Sequence, residues 1–208
     1  MHPDPVALRA AKRALRATLR ADRQALTATE RAAAGDGLTA QLEALVAARG
    51  ATSVSCYLPT DSEPNTRGFI DWAAARGIRL LFPVTRDDGL LDWTVGESGD
   101  ECVSHLGVPE PSGELLGPAA INDVDLVLIP AAAVDRSGIR MGWGRGYFDR
   151  TLGSMAKCPP VYAVIFDAEF LDQVPCEVHD QPVNGVVTPT RTITFEPHHP
   201  RSHPETHA

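Results

Sequence analysis

The chain has 208 residues, 43% of them hydrophobic and 22% charged, with a formal net charge of −8. That length suits one domain with a sizeable core, and the acidic balance argues against a nucleic-acid partner, which needs a basic face to neutralise phosphates. No apolar run approaches the roughly 20 residues needed to span a bilayer, so no membrane association is expected.

Asp4 to Arg23 reads as a helix, capped by Asp4 with Pro5 in its first turn and rich in alanine, leucine and arginine. Lys12 and Arg16 lie four apart on one face. They are either hydrated or, if that face looks into a cleft, a two-pronged cationic clamp for phosphate. Thr27-Ala-Thr-Glu30 is a capping box that opens a second helix, which runs to about Arg49 before Gly50 stops it.

Ser53 to Pro59 predicts a strand, and the following loop to Thr66 places Glu63 where open α/β sheets build ligand crevices. Phe69 to Ala75 has helical spacing, and Ile78 to Val84 and Leu90 to Val95 are further strands, the second more peripheral. Trp93 is either core or an aromatic wall for a flat ligand. Gly96 to Gly117 is loop-rich.

Asp125 to Val134 is the most apolar strand candidate and belongs near the middle of the sheet. Val161 to Phe166 is another buried strand. Val174 to Asp180, Gly185 to Pro189 and Arg191 to Phe195 complete the strand expectations. Strands alternating with helices imply an α/β fold with a mostly parallel sheet flanked by helices. Residues 1–195 are read as one domain and 196–208 as a disordered tail rich in proline and histidine.

Between the central strand and the next helix runs Arg140-Met-Gly-Trp-Gly-Arg-Gly-Tyr-Phe-Asp149. Gly142, Gly144 and Gly146 strip side chains from a turn so that backbone N–H groups can converge on an anion. Arg140 and Arg145 add positive charge, and the helix starting near Tyr147 points its dipole at the loop. The pattern is neither the usual P-loop nor the dinucleotide fingerprint. Asp149 at the end of the loop and Asp180 in a proline-bounded segment are carboxylates of the kind that hold magnesium beside phosphates.

The N-terminus lacks a signal peptide's apolar segment, and Cys56, Cys102, Cys158 and Cys176 show neither a C-x-x-C pair nor zinc spacing. Free thiols in the cytoplasm are expected.

Lys12-x-x-x-Arg16, Pro59 to Thr66 with Glu63, Gly107-x-x-Glu-Pro111, the loop Arg140 to Asp149, and Val174-Pro-x-Glu-x-His-Asp180 with Val187-Thr188 together resemble the 5-formyltetrahydrofolate cyclo-ligase family. The resemblance runs from about residue 9 to 190. It implies a fold related to the sugar-phosphate isomerases and CoA-transferases, and an ATP-dependent ring closure of 5-formyltetrahydrofolate to 5,10-methenyltetrahydrofolate. It implies that ATP is held by Lys12, Arg16 and the stretch Arg140, Met141, Gly142, Trp143, Gly144, Arg145, Gly146, Tyr147 and Phe148. Mg2+ would sit on Asp149 and Asp180, and the folate on Glu63 and Tyr147. Arg145 and Tyr147 are the expected catalytic groups, with Arg145 nearest the transferring phosphoryl group.

Trp93 and Trp143 are the candidates for stacking on the pterin. Two departures stand out: Phe148 replaces a commoner tyrosine, and Ala131-Ala-Ala-Val-Asp135 replaces a segment that is often Gly-Leu-Ala-Phe-Asp. A monomer or small homo-oligomer is expected. The competing readings are an ATP-dependent relative acting on another small substrate, and a nucleotide- or folate-binding regulator without turnover.

Overall fold

A computed structural model describes residues 4–96, 101–104, 107–155, 158–177, 180 and 182–196. The expected tail therefore lies, but for Glu196, outside the described residues.

Helix α1 spans Pro5–Ala25, and the Asp4 carboxylate accepts the Val6 N–H at 3.0 Å. Helix α2 (Ala28–Arg49) opens on the complete capping box of Thr27 and Glu30 and stops at Gly50 in the left-handed region. Strand β1 (Ser53–Ser55), helix α3 (Arg67–Ala75) and strand β2 (Arg79–Thr85) form the first crossover, followed by β3 (Leu91–Val95). Short strands β4 (Glu101–Val103) and β5 (Pro109–Pro111) pair as a hairpin, and β6 (Leu115–Leu116) joins the sheet edge. Strand β7 (Leu126–Pro130) leads into β8 (Ala133–Asp135) and β9 (Arg140–Met141), which pair with each other. Helix α4 (Tyr147–Ser154) and β10 (Val161–Val164) form the second crossover, and β11 (Phe170–Leu171), β12 (Gly185–Val187) and β13 (Thr192–Thr194) complete the described order.

The main sheet has eight strands in the order β13-β12-β10-β7-β1-β2-β3-β6. Strands β12, β10, β7, β1 and β2 are mutually parallel, and the antiparallel pairs lie at the two edges. The central strands are buried on both faces, which explains why Leu126–Ile129 and Val161–Val164 read as unbroken apolar runs. One core cluster packs Leu38, Leu42, Phe69 and Ile70 of α2 and α3 on one face; the other gathers Trp93, Ile121, Val127 and Ile165.

Three strand expectations are corrected. The strand from Ser53 stops at Ser55, because Tyr57 turns into the cleft loop, its hydroxyl donating to the Pro64 carbonyl. The run from Asp125 breaks after Pro130, and Ala133–Asp135 leaves the main sheet for a three-stranded one with β9 and β11. Among the described residues, Val174–Asp180 contains no strand; Asp180 accepts the Glu177 N–H at 2.8 Å, closing a turn instead.

Candidate functional site

From β7 the chain winds one way, through α4 to β10; from β1 it winds the other way, through α3 to β2. The strand order therefore reverses between β7 and β1, and ligand crevices form at the carboxyl ends of strands flanking such a switch. A cleft of about 400 Å3 opens there. Its walls include Tyr57 and Thr60 after β1, Thr85 at the end of β2, Pro130 at the end of β7, and the glycine loop.

A second cleft of about 360 Å3 lies on the other side of that loop and is lined by Lys12, Arg16, Met141, Gly144, Glu177 and Asp180. The two clefts share Gly142, Gly146 and Asp149. Gly144 and Gly146 have φ of 98° and 72°, so the loop takes a path that side chains disfavour. Arg16 Nε donates to the Gly142 carbonyl at 2.8 Å. A Cβ on Gly144 would lie 3.3 Å from the Arg16 guanidinium carbon.

The charged groups of this second cleft are paired. Lys12 Nζ lies 2.7 Å from Asp180 Oδ2 and 3.0 Å from Glu177 Oε2. Burial works to lower the Lys12 pKa, and the hydrogen bonds to Asp180 and Glu177 overcome it, so the net direction is upward. Arg140, 3% exposed, pairs with Asp149, and its Nε has no hydrogen-bond partner among the described residues. Burial lowers its pKa, with Asp149 and Asp180 opposing, yet a guanidinium stays charged.

Magnesium is held through one or two carboxylates together with phosphate oxygens and water. Asp149 and Asp180, lining one cleft, fit that donor set. Among the described residues there is no group of three or more His, Cys, Asp or Glu that would enclose a metal with protein alone.

In the larger cleft, Glu63 Oε2 accepts from both the N–H and the hydroxyl of Thr60 at 2.9 Å, so it closes its own turn while lining the wall. Arg145, Tyr147 and Phe148 line the same cleft, and Phe148 packs against the second core cluster. Met141 is 2% exposed among Leu19, Ala132, Ala133 and Val174, so its side chain belongs to the core.

Trp93 is corrected as a stacking candidate: it is fully buried in the core, where a ligand cannot reach it. Trp143 does line the cleft, with the guanidinium carbons of Arg20 and Arg23 at 5.2 and 4.7 Å from its ring centroid. The Ala131–Ala133 departure lies behind the loop. All three alanines are buried, and the Ala131 carbonyl accepts Arg23 Nη2 at 2.9 Å.

Sequence reasoning missed the burial of Arg23, and it gave Glu110 no role beyond its place in a motif. Arg23 is 2% exposed and forms a bidentate pair with Glu169, whose carboxyl burial pushes up while the Arg23 guanidinium works the other way. The signal was present in the spacing: Lys12, Arg16, Leu19 and Arg23 fall at steps of four, three and four, one face of α1. Glu110, from the Gly107-x-x-Glu-Pro111 motif, is buried at the cleft wall and accepts the N–H and hydroxyl of Thr85 at 2.9 and 2.7 Å.

The sequence pattern of the 5-formyltetrahydrofolate cyclo-ligase family matches residues 8–189. The chain is 39% identical over 146 residues to the 5-formyltetrahydrofolate cyclo-ligase of Mycolicibacterium smegmatis, covering 68% of this chain and 75% of that one. It is 29% identical to the Escherichia coli enzyme of the same name, covering 68% and 80%. The solved 5,10-methenyltetrahydrofolate synthetase of Aquifex aeolicus superposes with a TM-score of 0.75 at 23% identity, covering 95% of this chain and 99% of that one. The one from Mycoplasma pneumoniae gives 0.70 at 19%, covering 86% and 98%. At those identities the two structures speak for the fold, and the sequence matches carry the kinship: the chain belongs to the 5-formyltetrahydrofolate cyclo-ligase family.

Proposed function

We propose that this chain closes the ring of 5-formyltetrahydrofolate to 5,10-methenyltetrahydrofolate at the expense of ATP, acting in the cytoplasm as a monomer or small homo-oligomer. The observation that carries the reading is the sharing of Gly142, Gly146 and Asp149 by two clefts, one with Lys12 and Arg16 and the other larger and partly apolar. Phosphates on the cationic side and a flat substrate on the other would meet across the glycine loop. The family relatives bear the same activity in their names.

Lys12, Arg16 and the loop amides bind the ATP phosphates; Asp149 and Asp180 would hold Mg2+, which would supply charge neutralisation at the transferring phosphoryl group. Arg145 at the mouth of the larger cleft draws that group's negative charge. The formyl oxygen of the substrate takes the γ-phosphoryl group and ADP leaves. The neighbouring nitrogen at position 10 then attacks the activated formyl carbon, loses its proton, and phosphate departs with the former formyl oxygen. The protein's work is positioning two ligands and balancing charge. Trp143 and Tyr147 provide the aromatic surface for the folate.

The test is the near-ultraviolet absorbance of the methenyl product with purified protein, Mg2+ and 5-formyltetrahydrofolate, with and without ATP. Growth of the band only with ATP is the expected result. No growth with ATP binding intact would move the site to another substrate or to a regulator without turnover.

A further inference from the structure

The β2–β3 hairpin and the glycine loop are distant in sequence, yet one side chain is bonded to both. Arg150, on the first turn of α4 beyond the loop, donates from Nε to the Gly89 carbonyl at 2.7 Å and from Nη2 to the Arg145 carbonyl at 2.8 Å. Its guanidinium also lies over the Tyr147 ring at 5.4 Å, and the Tyr147 hydroxyl donates to the Arg86 carbonyl at 3.2 Å.

Both sides of the contact are shaped for it. Gly89 has φ of 83° and Gly146 of 72°, and a Cβ would lie 2.6 Å from Arg150 Nη2 at the first and 2.8 Å from Nη1 at the second. The hairpin tip has its own order: Arg86 pairs with Asp88 at 2.7 Å and Asp92 at 2.9 Å, and the Leu90 N–H reaches back to Asp88. Arg150 thus threads between two left-handed glycines and ties a stiff turn to a loop with no side chains at alternate positions.

We propose that Arg150 is a positioning residue that latches the hairpin tip onto the glycine loop and so sets where Arg145 and Tyr147 stand in the cleft. This rests on the proposed reaction only for its kinetic consequence. A planar guanidinium with donors on two sides bridges two carbonyls at once, which a lysine ammonium on a flexible stem does poorly. Because Thr85 and Leu91, at the two bases of the hairpin, line the larger cleft, the latch joins the substrate wall to the phosphate loop. A displacement of the reacting groups by about 1 Å costs up to about a hundredfold in rate.

Hydrogen exchange of segments 86–90 and 142–147 tests the latch without any reliance on turnover. In Arg150→Ala both segments are expected to exchange about tenfold faster together, corresponding to about 1.4 kcal/mol of local opening, while β7 and β10 keep their protection. Arg150→Lys is expected to restore neither segment fully. Arg150→Met, which keeps an unbranched stem and removes every donor to the Gly89 and Arg145 carbonyls, should give the same paired signature. In parallel, kcat per folded molecule should fall about tenfold with a smaller change in the KM for ATP. Exchange unchanged in either segment of these variants would overturn the latch. If Arg150→Ala does not fold, Arg150→Met carries the comparison alone. Absence of ATP-dependent methenyl product in the wild type would sink the proposed function instead, and the exchange result would still decide the latch.

Discussion

Arg23 and Glu169, 146 positions apart, meet in a buried bidentate pair with Nε to Oε1 at 2.6 Å and Nη2 to Oε2 at 2.9 Å. The pair clamps the first helix against the turn after β10, and Arg23 also faces the Trp143 and Phe166 rings. Removing one partner leaves the other charge buried and unpaired. Glu169→Ala should therefore lower unfolding free energy by about 3–5 kcal/mol in urea denaturation. The double variant Arg23→Met with Glu169→Leu should recover much of that loss. A single-variant cost below about 1 kcal/mol would mean that water reaches the pair.

Arg145 is exposed and stands at the rim of the larger cleft. Arg145→Ala should lower kcat about tenfold to a hundredfold and change the KM for ATP much less. Steady-state kinetics with both substrates varied separates the two. An unchanged kcat would remove this side chain from the phosphoryl step.

Lys12 is held by Asp180 and Glu177, and Asp149 by Arg140, so the carboxylates that would hold magnesium are neutralised from within. Magnesium alone is expected to bind weakly, and its affinity should rise when a non-hydrolysable ATP analogue draws the cations to its phosphates. Calorimetric titration of Mg2+ with and without the analogue measures the coupling. Lys12→Ala should raise the KM for ATP by about tenfold or more, the loss of one charged hydrogen bond.

Asp125 accepts the N–H and hydroxyl groups of Thr52 and Ser53, joining the starts of β7 and β1. These bonds, led by that from the Thr52 N–H, hold its carboxyl below the ordinary value of 3.8. A depressed folded pKa favours the ionised form. Its contribution is thus complete above pH 3.8 and is lost as pH falls through the lower folded value. Asp125→Asn should show a shallower loss of stability than the wild type between neutral pH and the acid limb. Urea midpoints at several pH values supply the comparison.

Trp143 lines the cleft whereas Trp93 is fully buried. Folate binding should quench the fluorescence of the wild type. Trp143→Phe should lose most of that quenching, and Trp93→Phe should keep it. The opposite pattern would place the folate elsewhere.

The parts of the fold that were legible in sequence are those governed by local rules. The Thr27–Glu30 capping box, the Gly50 stop and the apolar β7 and β10 each state their structure within a few residues. The glycine loop was legible because its spacing and flanking arginines are also local. The walls of the larger cleft were not. The burial of Trp93 depends on β2, β6 and the turn at Pro118–Asp123 closing over it, a contact no window of sequence contains. Nor does α1 on its own announce that Arg23 is buried, since the carboxylate that makes burial tolerable comes from Glu169 far along the chain.

The Lys12–Asp180 contact closes a span of 168 residues, so a cationic helix completes a cleft whose last carboxylate is synthesised that many residues later. A ribosome-bound chain therefore displays Lys12 well before the two carboxylates that hold it in the folded protein have emerged. The first helix can make its ion pairs with Glu177 and Asp180 only after both have been synthesised, so its docking belongs to the late steps of folding.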